Sequence, residues 1–92
     1  MLESTIERKF VRYCREQGIV TLKLNPVWYR NIPDRIVIFP GDLCFFLELK
    51  RLGEKPRPGQ VKRIRRLRKM GYTVHVADSL EKAKQLVEEN NL

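Results

Sequence analysis

The stretch P-D-R-I-V-I-F-P-G-D-L-C-F-F-L-E-L-K, residues 33–50, holds two apolar runs around one turn signal, with charge at both outer ends. Pro40-Gly41-Asp42 makes residues 35–39 and 43–50 the two arms of a β-hairpin. With a three-residue loop, Phe39 pairs with Leu43, and counting outward sets Asp34 opposite Glu48. Directly opposed residues share a face, their Cβ atoms about 5 Å apart. Lys50, two positions on, projects to that face as well. A loop of two or four residues sends Asp34 to the other face, so loop length decides whether the charges converge.

Two carboxylates held that close repel unless a cation lies between them. A hard divalent ion with oxygen ligands, Mg²⁺ or Mn²⁺, is the natural occupant, and the backbone carbonyl of Leu49 is a candidate third oxygen. Such an ion polarises a phosphate and lowers the pKa of a bound water. Lys50 is then placed to stabilise the negative charge of a phosphorane-like state or to orient the attacking water. The plainer alternative is a strand-surface ion pair between Glu48 and Lys50, with Asp34 merely starting a strand.

The remaining pattern is short. Residues 4–17 read as a helix, with Ser4 as N-cap and Ile6, Phe10, Val11 and Cys14 at helical spacing before Gly18. Residues 19–24 read as a strand with Val20, Leu22 and Leu24 on one face and Thr21 and Lys23 on the other. A loop over 25–33 precedes the hairpin and another over 52–59 follows it. Residues 60–70 form a helix with Val61, Ile64 and Leu67 inward and Gly71 as its stop. A strand over 73–77 and a helix capped by Ser79 complete the order α-β-β-β-α-β-α. The helix between the third and fourth strands returns the chain parallel, by a right-handed crossover. The expectation is one α/β domain spanning 1–92, with a mixed sheet of about four strands flanked by helices.

Ninety-two residues allow one domain with one modest core. Hydrophobic and charged fractions of 42% and 33% exclude a disordered chain. Apolar runs such as 36–40 and 43–47 are far too short to span a bilayer, and the N-terminus M-L-E-S-T-I-E-R-K has no signal-peptide pattern. Cys14 and Cys44 lack metal-ligand spacing and read as two buried free thiols in a reducing cytoplasm, with a disulfide as the alternative. His75 is the only histidine, which removes Cys/His zinc sites and His-based triads. The net charge of +8 points to a polyanion. The charge is concentrated: residues 50–69 hold ten basic residues and one acid, Glu54.

These residues resemble a known pattern. Pro33-Asp34 followed by Glu48-Leu49-Lys50 is similar to the P-D…(D/E)-x-K signature of the restriction-endonuclease-like superfamily. Within it the chain resembles the virus-type replication-repair nuclease domain, VRR-NUC, through I-P-D-R-I-V-I-F-P-G-D, F-F-L-E-L-K, K-P-R-P-G-Q-V, L-R-K-M-G-Y-T-V and A-D-S-L-E. The likeness runs from about Glu7 to Val87. It implies a restriction-endonuclease-like core and metal-dependent cleavage of DNA. Asp34 and Glu48 would be metal ligands, Lys50 the catalytic lysine, and Gln60 a glutamine that positions water or substrate. It also implies an acid on the first helix, Glu7 with Glu3 as the alternative. Small stand-alone members resemble Holliday-junction resolvases acting as homodimers, and the family suggests a phage or bacterial origin. Where members often carry glycine before Pro-Asp, this chain has Asn31-Ile32, and Asn tolerates a left-handed backbone.

Trp28, Tyr29 and Arg30, just upstream of Asp34, are candidates to stack on unpaired bases or grip a strand; the alternative is a cover for the core's edge or for a dimer interface. On the helix 60–70, Lys62, Arg63, Arg65 and Arg66 lack the interspersed acids of an ordinary solvated face. Phosphate contact without sequence specificity follows, with Arg35, Lys55 and Arg57 as further contacts. The functional expectation is an endonuclease for branched DNA, acting as a dimer. The alternatives are a nuclease for flaps, nicks or single strands, and a basic DNA-binding protein without chemistry.

Overall fold

The computed structural model describes residues 2–24 and 29–91. Helix α1 spans Glu3–Glu16, strand β1 Val20–Lys23, β2 Arg35–Ile38, β3 Cys44–Leu49, helix α2 Pro58–Lys69, β4 Val74–Ala77 and α3 Leu80–Asn90. This is the expected order. The sheet runs β1-β2-β3-β4. Its first three strands form antiparallel pairs, and β4 joins β3 in parallel through the α2 crossover.

The hairpin has the three-residue loop. Arg35 pairs with Leu47 and Ile38 with Cys44, and the Phe39 amide donates to the Leu43 carbonyl at 2.8 Å. Gly41 and Asp42 turn the chain with φ of 80° and 65°, a left-handed pair that glycine and aspartate tolerate better than other residues.

One face of the sheet is covered by α1 and α3. Their stripes Ile6–Phe10–Cys14 and Ala83–Val87 pack against Val37, Phe45, Leu47, Leu49 and Ala77 in the main core. His75 packs edge-on to Phe45 at 4.9 Å between ring centroids, a structural place. Helix α2 lies on the opposite face: Gln60 reaches Glu48, and Ile64 and Val74 are buried apart from the main cluster. No described helix is long and apolar enough to cross a membrane.

Two expectations change. Helix α1 begins at Glu3 with Leu2 at the N-cap, and no side chain caps it, so Ser4 is inside the helix. Of the two free thiols Cys14 is buried and Cys44 exposed. Cys44 pairs with Ile38 on the sheet face that α1 does not cover, whereas burial pushes the Cys14 thiol up to about 11.

Candidate active site

The paired strand ends build the site. Glu48 Oε1 accepts from the Asp34 amide at 3.2 Å, and Asp34 Oδ2 accepts from the Leu49 amide at 2.9 Å. The Asp34 carboxylate therefore takes the Leu49 amide where the β2–β3 ladder ends, and Glu48 takes the Asp34 amide, whose carbonyl faces β1, which fixes both groups against the backbone. Glu48 Oε2 receives the Lys50 ammonium at 3.1 Å and the Gln60 amide nitrogen at 2.7 Å. Gln60 Oε1 accepts from the Arg57 amide at the start of α2, so Gln60 ties the helix start to the β3 carboxylate. Among the described residues, Glu48, Lys50 and Gln60 are three of the four polar or charged residues that are buried. Charge buried at this depth demands partners, and among the described residues every buried side-chain polar atom has one.

Burial raises the Asp34 carboxyl above its ordinary range, opposed by the Leu49 hydrogen bond. Burial also raises Glu48, aided by the Asp34 charge and opposed by Lys50. Such a pair attracts a cation. No group of three or more His, Cys, Asp or Glu converges among the described residues. The oxygen donors at the site are the Asp34 and Glu48 carboxylates. The Leu49 amide points at Asp34 while the Lys50 amide points at Ala77 of β4. The Leu49 carbonyl therefore lies on the Asp34 side of the strand. This set fits an ion such as Mg²⁺, which keeps several waters and takes one or two carboxylates.

The expected first-helix acid, Glu7, is held in two ion pairs. Its Oε1 pairs with Lys23 at 3.3 Å and its Oε2 with Arg35 at 3.0 Å. Both first-helix acids sense the site: the Glu7 charge raises the Asp34 carboxyl, and burial and then the Asp34 charge raise Glu3, one turn earlier, while Lys50 lowers it. Arg35 is corrected too. It is 6% exposed, projects to the α1 face, away from Asp34, and donates to Glu7 and Thr21, so its guanidinium is engaged within the protein. Glu54, missed in the sequence, lies 3.8 Å from Lys50; its position four residues beyond Lys50 was the available signal.

No protein-family model matches the chain. A solved structure described as a VRR_NUC domain superposes with a TM-score of 0.84 at 29% identity, covering 94% of each chain. A curated relative, "Putative nuclease p44" of Acyrthosiphon pisum secondary endosymbiont phage 1, is 38% identical over 77 residues, 84% of this chain and 83% of the relative. The chain belongs to the VRR-NUC family. The restriction-endonuclease-like core that the sequence implied is thus the fold observed.

Beside Asp34 this VRR-NUC chain has a cavity of about 490 Å³ lined by Tyr29, Arg30, Asn31, Asp34, Arg57 and Gln60. Asn31 takes the left-handed conformation at φ 66°. Its side chain lies against Gly59, where an added Cβ would meet Asn31 Nδ2 at 2.8 Å. Arg63 stacks on the Tyr29 ring at 4.0 Å and donates to the Arg30 carbonyl at 3.3 Å. Arg63 thus fastens the loop before Asp34 to α2 and is less free for phosphate than its neighbours. Trp28 lies outside the described residues. Lys55, Arg57, Lys62, Arg65 and Arg66 are exposed, and a second cavity of about 520 Å³ runs along Lys62, Arg65, Arg66 and Lys69. Replacing Arg65 and Arg66 by alanine is expected to weaken DNA binding evenly across sequences. The slope of log affinity against log salt should fall by about 1 per arginine, measured by fluorescence anisotropy.

Proposed function

We propose that this VRR-NUC chain is a divalent-metal-dependent DNA endonuclease that cuts branched DNA, four-way junctions above all, as a homodimer. The observation that carries the chemistry is the joint burial of Glu48, Lys50 and Gln60 beside Asp34, at the mouth of a cationic cavity. Asp34, Glu48 and the Leu49 carbonyl would hold the ion, Mg²⁺ or Mn²⁺. When bound, it supplies Lewis-acid polarisation of the phosphodiester.

The chain's own residues supply the rest. Arg57 and Arg30 hold the strand by its phosphates, and Tyr29 offers a face for a base where the strand leaves the duplex. Gln60 locks the Glu48 carboxylate in one orientation. The Lys50 ammonium, already aimed at Glu48 Oε2, offers its charge to the phosphate oxygens as negative charge grows there. Glu54 lies 3.8 Å from the Lys50 ammonium and helps to orient it. Water adds to phosphorus and gives up a proton to solvent, the P–O bond on the far side breaks, and the leaving alkoxide takes a proton from solvent.

The test is cleavage of a labelled four-way junction with Mg²⁺ or Mn²⁺, beside matched duplex, flap and single-stranded substrates. Symmetric paired cuts, absent without metal and absent in Glu48→Ala, are expected. Cutting of flaps alone moves the specificity and keeps the site. Tight binding with no metal-dependent cutting of any substrate refutes the enzyme and leaves a DNA-binding protein.

A further inference from the structure

Helix α1 begins at the catalytic end of the sheet and runs away from it. Its N-cap, Leu2, lines a cavity with residues 51–54, just past Lys50, and Glu3 lies within range of the Asp34 and Lys50 charges. Helix α2 also starts there, through the bond from Gln60 to Glu48, but on the opposite face of the sheet. The catalytic end thus stands between the starts of two helices, and both carry cations outward from it.

On α1, Ser4, Arg8, Val11 and Arg15 recur at spacings of four, three and four, which keeps them on one side of the helix. Tyr13 marks the other side. Its hydroxyl donates to Glu88 of α3 at 3.4 Å, and the Lys84 ammonium lies 5.1 Å from its ring centroid. The side with Arg8 and Arg15 is therefore turned away from α3, toward β1, where Glu7 meets Lys23. A cavity of about 490 Å³ lies there, with Arg8, Lys9, Arg12 and Arg15 in its walls and Glu7 as the one acid lining it. That acid is already neutralised by Lys23 and Arg35. Among the described residues Arg8, Lys9 and Arg15 form no ion pair. Arg12 has only an exposed one, with Glu16 at 3.8 Å, and exposed pairs contribute little. Helical rise sets Arg8 and Arg15 about 10 Å apart along the axis, the length of about three phosphate steps on one DNA strand. A row of free cations leading out of a nuclease site matches a polyanion that leaves the same site.

We propose that this side of α1 is a second DNA-binding surface, which takes the phosphates of one arm of a branched substrate while α2 takes those of another. The inference rests on the reading of Asp34, Glu48 and Lys50 as the cutting centre, and it supplies the feature that selects branched DNA. The two cationic rows lie on opposite faces of the sheet. A straight duplex lying along one face cannot also lie along the other, whereas DNA whose arms part at the scissile phosphate meets both.

Fluorescence anisotropy across a salt series, with a chelator present, tests the proposal on a four-way junction, a splayed-arm fork and a linear duplex of equal length. Wild type should prefer the junction and fork. In the double variant Arg8→Ala with Arg15→Ala, affinity for both should fall about tenfold, and the slope of log affinity against log salt by about 2, one per phosphate contact. The linear duplex should bind as it does to wild type, with circular dichroism unchanged, since both arginines are exposed. The control Lys82→Ala with Lys84→Ala removes the same charge from α3 and should leave the ratio of fork to duplex affinity unchanged. A wild type without preference for branched DNA overturns the surface. So does an α1 variant that binds the fork and junction like wild type, or one that loses as much on the linear duplex. The two readings fail separately, because binding is read without metal. A wild type that cuts while the α1 variant binds every substrate unchanged keeps the nuclease and sinks the surface. A chain that cuts nothing, yet loses its preference for branched DNA in the variant, does the reverse.

Discussion

Glu48→Ala is expected to lower the single-turnover rate of DNA cleavage by at least 10²–10³-fold, roughly the size seen when one preorganised electrostatic contact is removed from an active site. Glu48 is 1% exposed and holds the Asp34 amide, the Lys50 ammonium and the Gln60 amide at once. Alanine frees all three. Lys50, itself 6% exposed, then loses its nearest counter-charge. Breaking one half of a buried ion pair costs about 3–5 kcal/mol, and in a domain of this size each kcal/mol moves the melting temperature by about 4–8 °C. Lost activity could therefore report a lost fold. The double variant Glu48→Ala with Lys50→Met separates the two. It removes both charges, so it should melt well above Glu48→Ala while remaining inactive. It should also keep most of its affinity for DNA, because the cations of α2 are untouched. A Glu48→Ala protein that is folded and cuts at the wild-type rate would move the chemistry away from this site.

The placement of Asp34 against Glu48 was legible because turn chemistry sets register. Pro40-Gly41-Asp42 accepts two successive left-handed residues, and a period of two then carries the pairing to the strand ends without further information. Gln60 and Lys50 followed from the motif and from strand alternation. The first-helix acid was not legible, since Glu3 and Glu7 stand one turn apart on the same helical face. Arg35, on a strand 28 positions from Glu7, engages the Glu7 carboxylate, a long-range contact that the helix pattern does not contain. Alternation does put Arg35 opposite in direction to Asp34, so its use as a DNA contact contradicted the register that the rest of the reading relied on. The exposure of Cys44 depended on something strand patterning does not contain. The pattern says which residues share a face, and only the helix packing says how far that face is covered.

Asp34→Asn is expected to abolish metal-dependent cleavage and yet raise the melting temperature in the presence of a chelator. The Asp34 carboxyl has a folded-state pKa above its unfolded value, with burial as the main cause. Between those two values the folded chain binds more protons than the unfolded one, so stability falls as pH rises through that interval and stays lower above it. Asparagine carries no charge to bury, and its side-chain oxygen can still accept from the Leu49 amide. The stability gap between variant and wild type should therefore be largest above the interval and close as pH falls below the ordinary aspartate value of about 3.9. Melting curves across pH read this directly. A variant less stable than wild type at neutral pH, or a gap that widens on acidification, would show that the Leu49 hydrogen bond outweighs the burial of charge. Adding Mg²⁺ reverses the order. An ion bound only by the folded wild type stabilises it in proportion to the logarithm of its concentration over its dissociation constant, and the asparagine variant should gain little. Burial that makes the ion-free carboxylates costly is thus the same property that gives a divalent cation a reason to bind.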